Sequence, residues 1–380
     1  MTDSVARVQP LSGLKILDFS TLLPGPLATL ILAEAGADVL KIERPGSGDD
    51  MRSFPPFVDK ESALFALLNR GKRSLALDLK SAEAWAVLEP LIVGADVLVE
   101  QFRPGVMERL GLGFERLKAI NQRLVYCSIT GYGQDGPKAN VVGHDLTYLA
   151  EAGVLAQAKL GSVPPVLAAD IAGGAYPAVM NILLALRQRD ATGMGSYLDI
   201  AMAEQSLTFA VGGLAELWAT GKAPGPAGWL LTGGSPRYQV YATSDGQWLA
   251  AAPLEQKFWQ RFCELIGLPA ELCDDRRNAQ ATRAAVAGLI AAKPASHWRA
   301  LFDGEDVSCA IVATLEEAVG DPQIAARGVL AHRLAVAGKE MPALPVPVAP
   351  AFRQAPGRAA APNLGEAHVR SPGAPARPLP

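Results

Sequence analysis

The sequence has little of what metal sites, disulfide frameworks and nucleic-acid surfaces require. Its 380 residues include only four cysteines and four histidines. The cysteines show no CxxC spacing and the histidines are scattered, which leaves few ligands for a metal ion. The formal net charge of −3 demands no basic surface, and no nucleic-acid-binding motif is present. We therefore predict reduced thiols, no metal and no nucleic-acid partner.

The sequence also lacks an evident membrane-directing segment. Residues 1–10 do not combine a basic start with an apolar stretch, and the longest apolar runs are broken by Gly, Pro or charge before they reach spanning length. This pattern predicts a cytoplasmic protein without a membrane partner. Hydrophobic residues make up 49% of the chain, and a chain of this length has room for two domains.

The N-terminal part predicts a parallel sheet. Apolar strands at 14–18 and 38–43 flank a helix at 27–35, which is a βαβ unit with ligands expected at the carboxyl ends of its strands. No GxGxxG sequence follows the first strand, which disfavours a dinucleotide ligand. Further strands, at 74–80, 96–100, 124–129 and 197–200, complete the prediction of an α/β fold.

Basic residues follow several of these predicted strands. Because the carboxyl ends of parallel strands share one edge, cations there suit a polyanionic ligand such as a nucleotide phosphate, with Arg offering a fork of donors and Lys a point charge. Any single one could instead be a solvated surface charge. The cations concerned are Arg44, Lys72, Arg73, Lys80, Arg103 and Arg109.

The second half predicts a smaller α+β domain. The Gly/Pro-rich stretch 221–228 indicates a boundary, and the sequence around Ser244-Asp245-Gly246 indicates an antiparallel hairpin. We predict a large Rossmann-like domain over 1–222, a small α+β domain over 223–335, and a Pro/Ala-rich segment over 336–380 that returns to the large domain, partly extended.

One acidic residue stands out in the segment 167–174, Leu-Ala-Ala-Asp-Ile-Ala-Gly-Gly. We interpret it as a short strand or turn that delivers Asp170 to a helix beginning near Gly173. Backbone N–H groups at a helix start stabilise negative charge, so an acid or a nucleophile fits there. The alternative is that Asp170 only caps the helix.

A second candidate is His144, in the stretch Gly143-His144-Asp145. We predict that it lies on a helix, and neighbouring residues on a helix point in different directions, so His144 pairs with Asp170 rather than with Asp145. A structural histidine is the alternative. The later positions predicted to pack inside are Leu146, Leu149 and Ala150.

Beyond this, the sequence resembles the family III CoA-transferase (CaiB/BaiF-type) family, which includes the α-methylacyl-CoA racemases, over almost the whole chain to about residue 335. Many matching motifs occur in the family's order. They include Pro24-Gly25-Pro26, Ala35-Gly36-Ala37-Asp38-Val39, Asn69-Arg70-Gly71-Lys72-Arg73-Ser74, Arg103-Pro104-Gly105, Arg109-Leu110-Gly111-Leu112-Gly113, residues 131–137 (Gly-Tyr-Gly-Gln-Asp-Gly-Pro) and Asp170.

The resemblance implies an interlocked homodimer of threaded chains, acyl-CoA as substrate, no metal, and a carboxylic acid acceptor if the protein is a transferase. It implies that Asp170 is catalytic in either branch, joined in racemases by His144 and by Glu255, which partners the histidine. Glu255 could equally be a solvated residue at the start of a helix near Lys257. The implied CoA-binding residues are Arg44, Lys72, Leu77, Leu79, Lys80, Phe102, Arg103, Arg109, Gly143, Asp145 and Tyr148.

The resemblance favours a 2-methylacyl-CoA racemase, because transferases more often have Tyr in place of His144 and because residues 233–236 and 253–258 resemble racemases. Residues 48–66 are longer than in animal racemases and resemble transferases, so a CoA transferase working through an aspartyl-CoA thioester is the alternative. Residues 309–312 depart from the Pro-containing pattern of both branches. A noncatalytic acyl-CoA-binding protein is a second alternative. The acyl group, the acceptor acid and the pathway stay open.

Overall fold

The computed structural model describes residues 9–159 and 161–367. Its central feature is a six-stranded sheet in which all neighbouring strands are parallel. In spatial order its strands are Arg73–Ala76, Asp38–Glu43, Lys15–Asp18, Val97–Glu100, Val125–Thr130 and Tyr197–Ala201. The chain thus winds outward from the first strand in one direction and then in the other, which is the doubly wound order of Rossmann-like sheets.

Helices and smaller sheets complete the described residues. The other strands are Phe57–Val58, Glu61–Ser62, Gln239–Ala242, Trp248–Ala251, Cys309–Ile311, Arg333–Val336, Lys339–Pro342 and Arg358–Ala360. The helices are Pro24–Glu34, Ala63–Asn69, Ala84–Val93, Val106–Arg109, Phe114–Ile120, Asp145–Glu151, Ala168–Asp170, Tyr176–Thr192, Met202–Ser206, Val211–Thr220, Gln256–Ile266, Ala279–Ala291, Ala295–Phe302, Leu315–Val319 and Pro322–Ala326. Shorter 3₁₀ turns lie at Asp50–Ser53, Leu155–Gln157, Leu207–Ala210, Leu230–Thr232 and Ala270–Leu272.

The parallel sheet forms because its strands are apolar on both faces. Leu17, Leu40 and Leu98 are buried within one core cluster beneath the covering helices, as expected for a sheet covered on both sides. The first strand pairs with Asp38–Glu43 on one side and with Val97–Glu100 on the other. The predicted βαβ unit and α/β fold are confirmed, and the switch in winding direction lies between the strands Lys15–Asp18 and Val97–Glu100.

The segment that carries Asp170 differs from its prediction. Residues 168–192 form one helical run, in which Ala168–Asp170 leads through a π-helical turn at Ile171–Ala175 into Tyr176–Thr192. The predicted strand or turn is therefore wrong, and Asp170 lies in the first helical turn. Gly173 lies in this π turn and packs closely against the next helix, because a Cβ added there would lie 2.8 Å from the Met202 carbonyl oxygen.

The described residues belong to two compact units. The first comprises Met1–Ala152, Val163–Ser206 and Ala325–Pro380, and the second comprises Gly153–Ser162 and Leu207–Ile324. The second unit contains the predicted hairpin, since Gln239–Ala242 pairs antiparallel with Trp248–Ala251. Its core packs around Trp259, Phe262 and Trp298. Residue 223, the predicted boundary, lies inside this second unit, and the three-domain division stays a prediction.

The C-terminal segment is part of the first unit and makes hydrogen bonds with the stretch around strand Arg73–Ala76. The backbone N–H of Gly71 donates to the Ala360 carbonyl at 2.9 Å, and the N–H of Ala367 donates to the Ser74 carbonyl at 2.8 Å. Strand Arg358–Ala360 pairs in parallel with Arg333–Val336. Residues 368–380 of the predicted segment lie outside the described residues.

One helix in the described part of the chain, Ala168–Thr192, is long and apolar enough to cross a membrane by length and composition alone. Half of its most apolar window is buried, and core helices meet the same criterion. We assign no membrane span from it, and the cytoplasmic location stays a prediction.

Candidate active site

Two clefts lie at the carboxyl edge of the parallel sheet. The first, which we call the apolar cleft, has a volume of about 620 Å³ and follows the ends of the strands Lys15–Asp18, Asp38–Glu43 and Arg73–Ala76. The second, which we call the Asp170 cleft, has a volume of about 360 Å³. Thr21 and Phe102 line both. These two residues follow the strands on either side of the switch in winding direction, where doubly wound sheets bind ligands.

The apolar cleft contains several of the residues predicted to bind CoA. Leu77, Leu79 and Phe102 supply apolar surface, and Arg44 and Lys80 supply positive charge at its margin. Such a combination suits a flat base with phosphates attached. The exposed Arg44 guanidinium is paired with the Asp50 carboxylate, so a phosphate would compete with Asp50 for it.

Lys72 does not belong to this set. Its ammonium group is fully buried and donates to Asp18 Oδ2 at 3.1 Å and to Thr29 Oγ1 at 2.8 Å, with the Pro26 carbonyl and Asn69 Oδ1 as further acceptors. Burial lowers its pKa to about 8. The prediction that Lys72 contacts a phosphate is therefore corrected, because its donors are used inside the fold.

Arg73 and Arg109 also lie apart from the two clefts. Arg73 begins its strand and makes a two-pronged ion pair with Asp38, which begins the neighbouring strand. It thus lies at the amino edge of the sheet, and its predicted place at a carboxyl end is wrong. Arg109 is exposed at the end of helix Val106–Arg109 and lines neither cleft among the described residues.

Asp170 lines the second cleft together with His144 and Arg103. Burial raises the pKa of its carboxyl group to about 6, and the nearby Asp145 carboxylate adds to the rise, whereas His144 opposes it. Asp145 Oδ1 also accepts the backbone N–H of Asp170 at 2.9 Å. Asp145 thus holds the catalytic candidate in place and supports its proton affinity. A carboxyl group with this pKa can give and take protons near neutral pH.

His144 is the N-cap residue of helix Asp145–Glu151 rather than a residue inside it. Its backbone N–H donates to Thr147 Oγ1 at 2.9 Å, which ties it to the first turn. The predicted packing holds for Leu149, which is buried, but is wrong for Leu146 and Ala150, which are exposed. The residues that anchor this helix are instead Asp145 and Tyr148 on its buried side.

Tyr148 supports the chain on the His144 side of the cleft. Its hydroxyl donates to the Gly143 carbonyl at 2.6 Å, and its ring lies so close that a Cβ at Gly143 would be 2.4 Å from Cε1. Burial, with the Asp170 charge, raises the Tyr148 pKa to about 12, which keeps the hydroxyl a donor. Only a glycine at position 143 lets the Tyr148 ring lie this close. The Tyr148 hydroxyl in turn holds Gly143, the residue before His144, in position.

Glu255 lies in the second unit, where it is the N-cap residue of helix Gln256–Ile266. Its carbonyl accepts the Trp259 N–H at 3.0 Å. Its side chain is exposed. The pairing of Glu255 with His144 stays a prediction.

Sequence reasoning missed several residues of the Asp170 cleft, including Thr21, Leu22, Gln101, Thr130 and Met202. Most follow the carboxyl ends of sheet strands, so the rule that ligands bind there would have indicated them. Glu100, the last residue of strand Val97–Glu100, does not line the cleft but is another residue that sequence reasoning missed. Its Oε2 accepts the Phe102 backbone N–H at 2.7 Å, and burial raises its pKa to about 7. It thereby fixes the loop that separates the two clefts.

No group of three or more His, Cys, Asp or Glu side chains is arranged to hold a metal ion in the part of the chain that the structure describes. The absence of metal chemistry stays a prediction.

The doubly wound parallel sheet, with the apolar cleft and the Asp170 cleft at its carboxyl edge, defines an α/β protein. Such a site suits a long ligand with a nucleotide at one end and a reacting group at the other. The chain belongs to CoA-transferase family III, whose family model matches residues 11–368. The family membership predicted from the sequence motifs is thus confirmed. Relatives of this chain with a named activity are CoA-transferases or racemases, and both are enzymes.

Individual relatives do not separate the two activities. An acetyl-CoA:oxalate CoA-transferase of Acetobacter aceti is 34% identical over 94% of this chain and 93% of its own length. The human α-methylacyl-CoA racemase is also 34% identical, over 91% of this chain and 90% of its own. The crystal structure of a CaiB/BaiF family protein from Brucella suis aligns with a TM-score of 0.78 and 30% identity, covering 94% of this chain and 97% of that one.

Proposed function

We propose that this protein is a 2-methylacyl-CoA racemase or epimerase that exchanges the α proton through an enolate. The observation that carries the proposal is that His144 and Asp170 line one cleft. Inversion at a weakly acidic carbon needs a base on one face and an acid on the other, and these two residues supply them.

The reaction begins when one of the two residues takes the α proton and the electron pair of the C–H bond forms the enolate. The other residue then donates its proton to the opposite face of the same carbon. Reaction in the reverse direction exchanges the two roles. Asp170, with a pKa of about 6, serves as base when ionised and as acid when protonated, so it fits either role.

We place the CoA nucleotide in the apolar cleft, between Leu77, Leu79 and Phe102, with its phosphates near Arg44 and Lys80. The pantetheine arm passes Thr21 and brings the thioester into the Asp170 cleft near Arg103. The shared walls of the two clefts support this path. Gly143, Asp145 and Tyr148 shape the catalytic end rather than contact the nucleotide.

This placement predicts a strong effect of charge reversal. The double variant Arg44→Glu with Lys80→Glu is expected to raise the dissociation constant for CoA by about 100-fold or more, because each charge-assisted contact to a phosphate is worth about one to two factors of ten. The loss should shrink as salt screens the charges. Calorimetric titration with CoA at several salt concentrations measures both effects.

Arg73→Glu is the matched control, because Arg73 pairs with Asp38 at the opposite edge of the sheet. It should leave CoA affinity within about threefold, as expected for a distant, solvent-exposed pair. Unchanged CoA affinity in the double variant would contradict the placement.

A CoA transferase is the alternative function, and it is favoured by the acetyl-CoA:oxalate CoA-transferase relative at the same 34% identity as the racemase. Here the Asp170 carboxylate attacks the acyl-CoA carbonyl and expels CoA thiolate. The thiolate then attacks the aspartyl carbonyl and releases the donor acid, leaving CoA as a thioester on Asp170. An acceptor carboxylic acid reverses these steps. Asp170 alone suffices for this route.

One experiment distinguishes these functions. The enzyme is incubated in deuterated water with 2-methylacyl-CoA thioesters, with and without carboxylic acids. The masses of the products are then determined by mass spectrometry. Deuterium at the α carbon supports the racemase. CoA transfer between acids without deuterium in any 2-methylacyl-CoA overturns it, and CoA binding without either reaction indicates a binding protein.

We also propose that the protein acts as an interlocked homodimer. Helix Tyr176–Thr192 exposes Tyr176, Met180, Leu183 and Leu184, which share one helical face because their spacing follows the helical repeat. Exposed apolar faces of this kind mark protein interfaces. A second copy of the chain is the occupant that we propose.

The interlock predicts that dissociation and unfolding are one event. Light scattering should give the mass of two chains down to nanomolar concentration, and denaturant should remove the dimer and the helical circular dichroism in one coincident transition. A folded monomer at any concentration would exclude threaded chains.

A further inference from the structure

The loop after the first strand is held on both sides of Thr21, the residue in it that lines both clefts. The Ser20 carbonyl accepts from Lys41 Nζ at 2.6 Å. The Leu22 backbone N–H donates to Asp49 Oδ1 at 3.0 Å. The groups that fix this loop therefore come from the next strand and from residues 48–50, which also line the apolar cleft.

Leu22 needs such a partner because its backbone is in the left-handed region, with φ at +62°. A leucine rarely adopts this conformation, since its Cβ crowds the backbone, and it persists where surrounding contacts impose it. The loop is also folded tightly, because a Cβ added at Gly25 would lie 2.2 Å from the Ser20 Cβ. The shape of the wall at Thr21 is thus determined by contacts from outside the loop.

Asp49 is held rigidly enough to serve as that contact. Its Oδ2 lies 2.9 Å from Lys41 Nζ in an ion pair whose two side chains are fully buried. Its Oδ1 accepts the Met51 N–H, and its own N–H donates to Glu43 Oε2, both at 2.9 Å. Asp18 and Lys72 form the adjoining buried ion pair, so opposite charges balance throughout this group.

We propose that Asp49 is a positioning residue for the reaction at Asp170. It acts through its hydrogen bond with the Leu22 N–H. This bond keeps the Leu22 backbone in the left-handed conformation and thereby keeps Thr21 in the wall that the two clefts share. The inference rests on the proposed function and deepens it, since it assigns how the thioester arm is aligned between the nucleotide and the catalytic carboxylate. The position of the Asp49 oxygen, rather than its charge, is what matters.

Two variants separate position from charge. Asp49→Asn keeps one oxygen to accept the Leu22 N–H, but it loses the charge and turns an amide N–H toward the Lys41 ammonium at the place of Oδ2. Asp49→Glu keeps the charge and moves both oxygens by one methylene. We expect Asp49→Asn to retain kcat within about threefold and Asp49→Glu to lose about 10-fold to 100-fold in kcat, the range expected of a misplacement near 1 Å. Affinity for CoA, measured by calorimetry, should change by a smaller factor than kcat in Asp49→Glu, because Asp49 lines the apolar cleft but is only 1% exposed.

A purely structural ion pair predicts the opposite order, with Asp49→Asn the more damaged variant. That result would overturn the proposal. Asp59→Asn is the control, because Asp59 is an exposed carboxylate in a turn that lines neither cleft. A thermal unfolding curve of each variant tests whether it is folded before its kcat is compared with that of the wild type.

A second measurement does not depend on turnover. Amide hydrogen exchange of peptides covering residues 20–23 should speed up at least about 10-fold in Asp49→Glu and stay near wild type in Asp49→Asn, because the Leu22 N–H loses its acceptor only in the former. Equal exchange in both variants overturns the proposal. If the wild-type enzyme transfers CoA without α exchange, the proposed racemase fails, and the same comparison of variants is made with the transfer rate.

Discussion

Asp170→Ala is expected to abolish racemisation and any CoA transfer, with a fall of about 10³-fold or more in kcat, because one carboxyl group serves as acid or base in the first reaction and as nucleophile in the second. Asp170 lies partly buried in the first turn of the helix beginning at Ala168, and the neighbouring Asp145 carboxylate is already engaged by the Asp170 backbone N–H. Steady-state assays of both reactions with the purified protein measure the loss.

The pH dependence gives a second readout for Asp170. Its folded-state pKa is raised to about 6, so the ionised form prevails above that pH and declines as pH falls through it. Transferase activity, which needs the carboxylate, should therefore fall as pH is lowered through about 6 in the free enzyme. Asp190→Ala is the matched control, since Asp190 is exposed on the same helical run. Substantial activity in Asp170→Ala would remove this residue from the mechanism.

His144→Ala should have a large effect of a different kind, because it separates the two chemistries. In a racemase, inversion should fall by about 10²-fold to 10⁴-fold, the usual contribution of a general acid or base. Asp170 should still exchange protons on its own face of the α carbon. One epimer of the 2-methylacyl-CoA should therefore keep taking up deuterium, with retention of configuration, while the other does not. Separate incubations of the two epimers measure this asymmetry.

In a transferase, His144→Ala should retain substantial CoA transfer, and hydroxylamine or borohydride should trap an activated ester on Asp170. His297→Ala is the control, because His297 is an exposed histidine on helix Ala295–Phe302 in the second unit. Loss of exchange from both faces at equal rates would contradict the assignment of one residue to each face.

The sequence by itself determined the parallel sheet and the edge at which ligands bind. Apolar strands alternating with helices leave few alternatives to a doubly wound sheet, and the strands Lys15–Asp18 and Asp38–Glu43 pair as the pattern predicts. It also selected Asp170 and His144, through the family's motifs, and these line one cleft. Local pattern and motif suffice to predict these features because the formation of each strand and helix, and the match of each motif, depend on residues near one another in the chain.

The tertiary structure alone decided which cations face the clefts. Lys72 and Lys80 occur in one basic stretch, yet Lys72 is buried with four acceptors around it and Lys80 lines the apolar cleft. Lys72 is buried because the folded chain places its ammonium group beside Asp18 and Thr29, which are far away in the sequence. A pattern of basic residues carries no information about such partners.

The same reason applies to the residues that hold the site in shape. Asp145 reaches the backbone of Asp170, 25 residues away, and Asp49 reaches Leu22, 27 residues away. Each contact exists only because the sheet brings separate loops to one edge, and the left-handed Leu22 is stable only within it. The sequence determined which residues can do the chemistry, and long-range packing decided which others hold them in position.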